Sequence, residues 1–405
     1  MGETVEIVKL GHAGDGIAAD GLFVPYTVPS DVVRVTREGT RGRVEDIVTL
    51  GPSRITAPCR HFGACGGCAL QMMERNAYLA WKRDLVVTAL EQRGFEDAPV
   101  EGIRAVASGT RRRASFKAKR VGAGVQLGFY EPESRNLVDL AECPILVPQL
   151  ASLMAPLREH LAGILKADET AELLVTAADN GIDLSLKLKR GRDVDILMAL
   201  GDMAAKLKLA RLSWNGEAVA VEHAPALHIG KFRVALPPGS FLQPTREGER
   251  ILQDLVRAEI DGASRVADLF SGCGTFTFIL AETCAVHAAD GDAAHIAALE
   301  GAAKQSRARV TAETRDLFRR PFALEELTRF DAVLLDPPRV GAQAQTQALA
   351  RSKIPRILYV SCNPASFARD ARILSDGVYR LSRVVPLDQF LWSPHVEIFA
   401  VFNRS

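Results

Sequence analysis

No stretch of this chain reaches eighteen consecutive apolar residues, so no membrane-spanning helix is expected. The opening MGETVEIVKL lacks the basic region and apolar core of a secretory signal, and the expected location is cytoplasmic, with no membrane partner. An excess of one charge is missing too: 50 Lys and Arg against 49 Asp and Glu leave +1 over 405 residues. Nucleic-acid binding must therefore be argued from local patches. The seven cysteines are odd in number and unevenly spaced, a poor disulfide framework. In a reducing compartment, clustered cysteines serve as metal ligands or catalysts. There are no internal repeats and no low-complexity segments. At 47% hydrophobic and 24% charged, the chain has an ordinary globular balance, and its length suits two or three domains.

Residues 1 to 56 read as short strands between glycine turns, the pattern of a small barrel. Glu74 to about Arg93 has helical spacing, with Gly94 as its stop. From Arg104 to Arg120 there are seven Arg or Lys and no acid. With period two, Arg111, Arg113, Ser115, Lys117 and Lys119 share one face of a strand, a basic stripe suited to phosphate. Beyond about residue 247, helices alternate with apolar runs at 265–270, 285–290, 330–336 and 356–360, which indicates a doubly wound parallel sheet.

Three strand ends carry chemistry. Val266-Ala-Asp-Leu-Phe-Ser-Gly-Cys-Gly-Thr-Phe-Thr277 reads strand, glycine turn, helix, and Asp290 ends the next strand, where a carboxylate suits a ribose diol. NAD and S-adenosylmethionine sites share this layout, but Thr277 stands where the dinucleotide fingerprint wants a small residue. Asp336-Pro-Pro-Arg339 is a rigid acceptor at another strand end. Ser361-Cys-Asn-Pro364 places Cys362 just before a helix, where the dipole favours thiolate and hence a nucleophile. Cys273 and Cys284 read as packing residues. Cys59-x5-Cys65-x2-Cys68 with Cys143 offers four thiolates for a zinc ion or a [4Fe-4S] cluster. Cys65-Gly-Gly-Cys68 could also be a redox pair, and His61 could stand in for a cysteine on zinc.

Phe241-Leu-Gln243, Asp268-Leu-Phe-Ser-Gly-Cys-Gly274, Asp336-Pro-Pro-Arg339, Ser361-Cys-Asn-Pro364 and His395-Val-Glu397 together resemble the RNA uracil-5-methyltransferase family, over nearly the whole chain. The resemblance implies an α/β fold: a Rossmann-like class I methyltransferase domain at 241–405, an N-terminal OB-like TRAM β-barrel at 1–56, and a central α+β domain at 57–240. It implies S-adenosylmethionine held by Gln243, Phe270, Thr275, Asp290, Asp316 and Asp336, with Cys362 as nucleophile and Glu397 as general base. It favours a [4Fe-4S] cluster on Cys59, Cys65, Cys68 and Cys143, while the basic stripe itself makes Arg111, Arg113, Lys117 and Lys119 the expected RNA contacts. Family members often carry Phe-Pro-x-Thr-x-His-x-Glu near the end. Leu391, Ser393 and Pro394 depart from it here. Arg339 stands where related 5-methylcytosine enzymes have a nucleophilic cysteine and N6-adenine methylases an aromatic residue.

The expected enzyme is a monomer acting on structured RNA, 23S ribosomal RNA above transfer RNA, because a TRAM-like barrel together with a cluster resembles the ribosomal enzymes. An iron–sulfur NAD-type oxidoreductase and a non-catalytic RNA-binding protein are the competing classes.

Overall fold

The computed structural model describes every residue except Met1 and Arg192. Strands β1 (Glu3–Leu10), β2 (Gly16–Ala18), β3 (Phe23–Val24), β4 (Val32–Glu38) and β5 (Arg41–Thr49) close into a barrel in the order β1-β2-β3-β5-β4. Ile7, Ala18, Leu22, Val24, Val33 and Val35 fill it. Period-two alternation sends these side chains to one face of each strand, and closure leaves no free edge.

The chain then forms α1 (Arg75–Glu91), which Gly94 follows at φ +79°. Next come β6 (Arg104–Ala105), β7 (Arg113–Val121), β8 (Gly124–Tyr130), β9 (Leu137–Asp139), α2 (Pro148–Ile164), β10 (Thr170–Ala178), β11 (Gly181–Leu188), α3 (Val194–Lys206), β12 (Arg211–Trp214) and β13 (Glu217–Val221). Seven of these strands make one sheet, ordered β13-β12-β11-β10-β7-β8-β9. Ala114, Phe116 and Ala118, the even face of β7, join Leu150, Met154 and Leu157 of α2 and Leu200 and Met203 of α3 in one core.

A hairpin of β14 (Ala226–Ile229) and β15 (Phe232–Ala235) leads into α4 (Arg246–Glu259). Thereafter β16 (Arg265–Leu269), α5 (Thr277–Leu280), β17 (Ala285–Asp290), α6 (Ala293–Ser306), β18 (Val310–Thr314), α7 (Leu324–Leu327), β19 (Ala332–Leu335), α8 (Gln343–Leu349), β20 (Arg356–Ser361), α9 (Pro364–Asp376), β21 (Tyr379–Asp388) and β22 (Glu397–Arg404) complete the chain. The second large sheet runs β18-β17-β16-β19-β20-β22-β21-β6, with β22 antiparallel to both its neighbours. This is the class I methyltransferase order, extended by β6 from the middle of the chain.

Besides β6, two stretches cross the expected boundary at residue 240. Leu227, Ile229, Phe232 and Val234 of the hairpin lie in the same core as Phe278 and Leu299, and Val86 and Leu90 of α1 pack with Phe367 and Leu374 of α9. Strands β18 and β21 were not anticipated. The first is an edge strand without a fully buried residue, and the second carries Arg380, Ser382, Arg383 and Pro386.

Candidate active site

A cavity of about 560 Å³ opens where β16, β17, β19 and β20 end. Gln243, Phe270, Thr275, Asp290, Asp316, Asp336, Cys362 and Glu397 all line it. The cavity thus brings together all eight residues expected at the cofactor and at the reacting base.

The first wall is the turn after β16. Phe270 sits at φ +65°, a region an aromatic residue rarely adopts, and Gly272 and Gly274 follow at +54° and +96°. A β-carbon on Gly274 would lie 2.7 Å from the Phe278 ring. Thr277, where a dinucleotide site would carry a small residue, is buried and donates to Asp268 Oδ2 at 2.5 Å. Asp290 Oδ2 accepts from Gly272 N at 2.9 Å and its Oδ1 from Asp292 N at 2.8 Å. Burial works to raise this carboxyl, but hydrogen bonds from His295 and these amides outweigh it and leave it below its ordinary value. Opposite, Asp316 Oδ1 accepts from Phe318 N at 3.0 Å. Phe318 was not expected at the site, yet its ring stands 5.4 Å from that of Phe270 and 48% of it is exposed. The signal was an aromatic two residues after a candidate carboxylate.

The second wall carries the reactive groups. Glu397 is 3% exposed, and burial pushes its carboxyl up to about 7, opposed only by Gln389. Gln389 Nε2 donates to Glu397 Oε2 at 2.7 Å and to Gln243 Oε1 at 2.8 Å. Asp336 is raised well above the usual carboxylate range by burial and by Glu397, Asp268 and Asp290. Asn363 caps α9 by accepting from Ala365 N at 3.1 Å, so Cys362 does lie just ahead of a helix start. The surroundings of Cys362 work against the expected preference for thiolate. Burial, then the Glu397 and Asp336 carboxylates, push the Cys362 thiol up to about 12 against the opposing Arg339. Burial of the thiol, with the two carboxyl groups beside it, outweighs the partial charge of a helix end. Arg339 also reaches His395 Nδ1 at 3.3 Å, and burial followed by nearby cations takes that imidazole down to about 4. The altered loop ahead of Glu397 has its own ties: Ser393 Oγ donates to Phe390 O at 2.8 Å, and Leu391 is buried. Cys284 is a buried packing residue, whereas Cys273, also buried, forms part of the cavity wall.

Three further neighbours of the site escaped the sequence reading. Lys82 is fully buried and paired with Asp388, also fully buried. Burial takes the ammonium down to about 8, against the pull of Asp388. The signal lay in the spacing, because Lys82 falls on the apolar stripe Tyr78, Lys82, Val86, Leu90. Gln389, the third, gave none.

The basic stripe divides. Its odd face is the outer one, as expected, and the intervening Arg112 points inward, paired with Glu249 and donating to Gln243 O at 3.1 Å. Arg113 lies 5.4 Å over the ring of Phe241, a cavity-lining residue that is 60% exposed. The compensating acid missing from the run itself comes from β10: Lys117 pairs with Glu172, directly opposite it in register. Arg111 Nε is turned back to Arg113 O at 3.0 Å, and Lys119 stands opposite Thr170.

Cys59, Cys65, Cys68 and Cys143 line one enclosed space of about 20 Å³, walled also by Phe62, Phe129 and Ile145. His61 lines it too, but its Nε2 accepts from Ala141 N at 3.0 Å and is occupied. Among the described residues no three His, Cys, Asp or Glu side chains are close enough to hold one metal ion.

Fold and strand-end cavity together define a class I, S-adenosylmethionine-dependent methyltransferase. The tRNA (Uracil-5-)-methyltransferase family model matches residues 226–405. An uncharacterized RNA methyltransferase of Brucella melitensis is 42% identical over 99% of this chain and 98% of its own length. The 23S rRNA (uracil(1939)-C(5))-methyltransferase RlmD of Halomonas elongata is 33% identical over 96% of this chain and 87% of its own. The chain belongs to the RNA uracil-5-methyltransferase family. The solved structure of Pyrococcus abyssi tRNA (uracil-54, C5)-methyltransferase in complex with S-adenosyl-L-homocysteine shares the fold, with TM-score 0.79 and 24% identity over 98% of this chain and 99% of that one. No helix among the described residues is long and apolar enough to cross a membrane.

Proposed function

We propose that the chain methylates C5 of one uracil in 23S ribosomal RNA through a covalent bond between Cys362 and C6. The convergence of Cys362, Glu397, Asp336 and Gln243 on one cavity carries this reading. The ribosomal target is favoured by the relative at 33% identity over nearly the whole chain.

Uracil C5 is a poor nucleophile until something adds to C6. Attack by the Cys362 thiolate forms the S–C6 bond and moves the ring's electron pair onto O4 as an enolate. S-adenosylmethionine supplies the electrophilic methyl group and a positive sulfonium. Glu397 then takes the C5 proton, the C5–C6 double bond reforms, and Cys362 leaves as thiolate. A carboxyl near pKa 7 suits that role, since it is half ionised at neutral pH yet basic enough to accept a carbon-bound proton. Cys362 rests as a thiol; its proton is lost to solvent in the open cavity before attack, and Arg339 is the side chain that favours the thiolate so formed.

In this reading Asp290 and Asp316 receive the cofactor's hydroxyl and amine donors, with Phe270, Gln243, Thr275 and Asp336 completing its pocket. The target base must leave its stack to enter. The N-terminal barrel acts as a TRAM-type RNA-binding module, and Arg111, Arg113, Lys117 and Lys119 contact phosphate. Cys59, Cys65, Cys68 and Cys143 would hold a [4Fe-4S] cluster whose role is to brace structure or position RNA, since methyl transfer moves no electrons.

RNA containing 5-fluorouridine tests the chemistry, because fluorine cannot leave as a cation. Wild-type protein should be trapped as a slow band on a denaturing gel, and Cys362→Ala should form none. A Cys362→Ala protein that still forms the adduct rejects the nucleophile. Mass spectrometry of ribosomal and transfer RNA from a deletion strain identifies the target, and a 5-methyluridine lost only from transfer RNA rejects the ribosomal assignment.

A further inference from the structure

The segment from Asp388 to Glu397 lies between the site and the first third of the chain. On its outer side, Lys82 Nζ donates to Asp388 Oδ1 and, at 3.0 Å, to Phe390 O. One helical turn earlier, Tyr78 Oη accepts from Trp392 N at 2.8 Å. Ala69 N and Leu70 N both donate to Trp392 O, at 2.8 and 3.1 Å. Trp392 itself is held at φ +57°. On the inner side, Gln389 grips Glu397 and Gln243, while Phe390, His395 and Glu397 line the cavity. The segment thus joins helix α1 to the cavity wall.

A buried Lys–Asp pair is poor evidence for stability, because well-packed apolar side chains of similar volume often do as well or better. What an ion pair adds over apolar packing is direction. Lys82 fixes two acceptors, one on each side of Gln389, and so ties down the turn that carries it. We infer that Lys82 is a positioning residue for proton removal: by fixing the Asp388–Phe390 turn it aims Gln389, and through it Glu397, at the reacting carbon. The inference rests on Glu397 being the base.

Lys82→Met combined with Asp388→Leu removes both charges without leaving the unpaired buried carboxylate that Lys82→Met alone would create. Three quantities are measured on the full-length protein: S-adenosylmethionine affinity, the rate of trapping by 5-fluorouridine-containing 23S RNA transcript, and turnover on the ordinary transcript. Affinity and trapping should stay within about twofold of wild type, while turnover falls about tenfold or more and methylated protein–RNA adduct accumulates. Turnover at the wild-type rate overturns the inference. An equal loss of trapping and turnover also overturns it, since the pair would then be a structural brace and nothing more. Tyr78→Phe keeps the ring and removes the hydroxyl that holds Trp392 N and meets Asp388. It serves if the double variant does not fold, and should shift the same ratio in the same direction by a smaller factor. Glu397→Gln, run alongside, separates the two readings. If it releases product at the wild-type rate, the base assignment fails and this inference with it. If it stalls while the Lys82 variant turns over normally, only the inference fails.

Discussion

Gln389 donates to Glu397 Oε2 at 2.7 Å, and this is the hydrogen bond that opposes the rise of the Glu397 carboxyl through burial. The carboxylate is therefore both fixed and kept available near neutrality. A buried acid without such a partner would stay protonated at working pH.

The pH dependence follows from the sign of that shift. The Glu397 carboxyl lies at about 7 in the fold, against an ordinary 4.5. Release of preformed methylated adduct should speed up as pH rises through about 7, because only the ionised form accepts the C5 proton. Adduct made with Glu397→Gln should persist at every pH, and release from it at the wild-type rate would reject the base. Stability runs the other way. A raised acid contributes its full stability below its unfolded value and loses it as pH rises through the folded one. Glu397→Gln should therefore stabilise the protein at pH 8, by up to about 3 kcal/mol, and lose that advantage below about pH 4.5. Thermal melts at the two pH values check it.

RNA affinity offers a second test. Arg113→Ala with Lys119→Ala should weaken binding and lower the salt slope by about one unit for each phosphate no longer neutralised, with S-adenosylmethionine affinity unchanged. Lys117→Ala should do less, because Glu172 already pairs with that ammonium. An unchanged slope in the double variant would make the stripe a solvated face.

The cysteines make a third. Protein purified without oxygen should be brown, absorb broadly near ~400 nm and carry about four irons per chain. Cys68→Ser should lose the metal. Zinc in stoichiometric amount without iron would remove the cluster.

Legibility in the sequence followed locality. The turn from Asp268 to Gly274, the acceptor at Asp336 and the cysteine before α9 could be read because each is a short run whose glycine, proline or strand end dictates its own geometry. The barrel was visible for the same reason, through its alternation and turns. Lys82 with Asp388, and Arg112 with Glu249, join residues 306 and 137 positions apart, and no local rule pairs them. The surroundings of Cys362 were hidden for a related cause. The helix start is local, but the burial that opposes thiolate, and the Glu397 and Asp336 carboxyls that add to it, come from other parts of the chain.

The added strand β6 and the Lys82–Asp388 pair bear on how the protein is made. Helix α1 and β6 leave the ribosome early, whereas β21, which receives both, is almost the last element synthesised. Until then Lys82 has no counter-charge, and the seam between α1 and the methyltransferase sheet stays open. The catalytic sheet therefore cannot close while the chain is still growing. A fragment beginning at residue 226 would present β21 as a bare edge with an uncompensated Asp388 beside it, an invitation to pair with other chains. The last strands of the methyltransferase sheet thus meet partners, β6 and Lys82, that come from the first third of the chain.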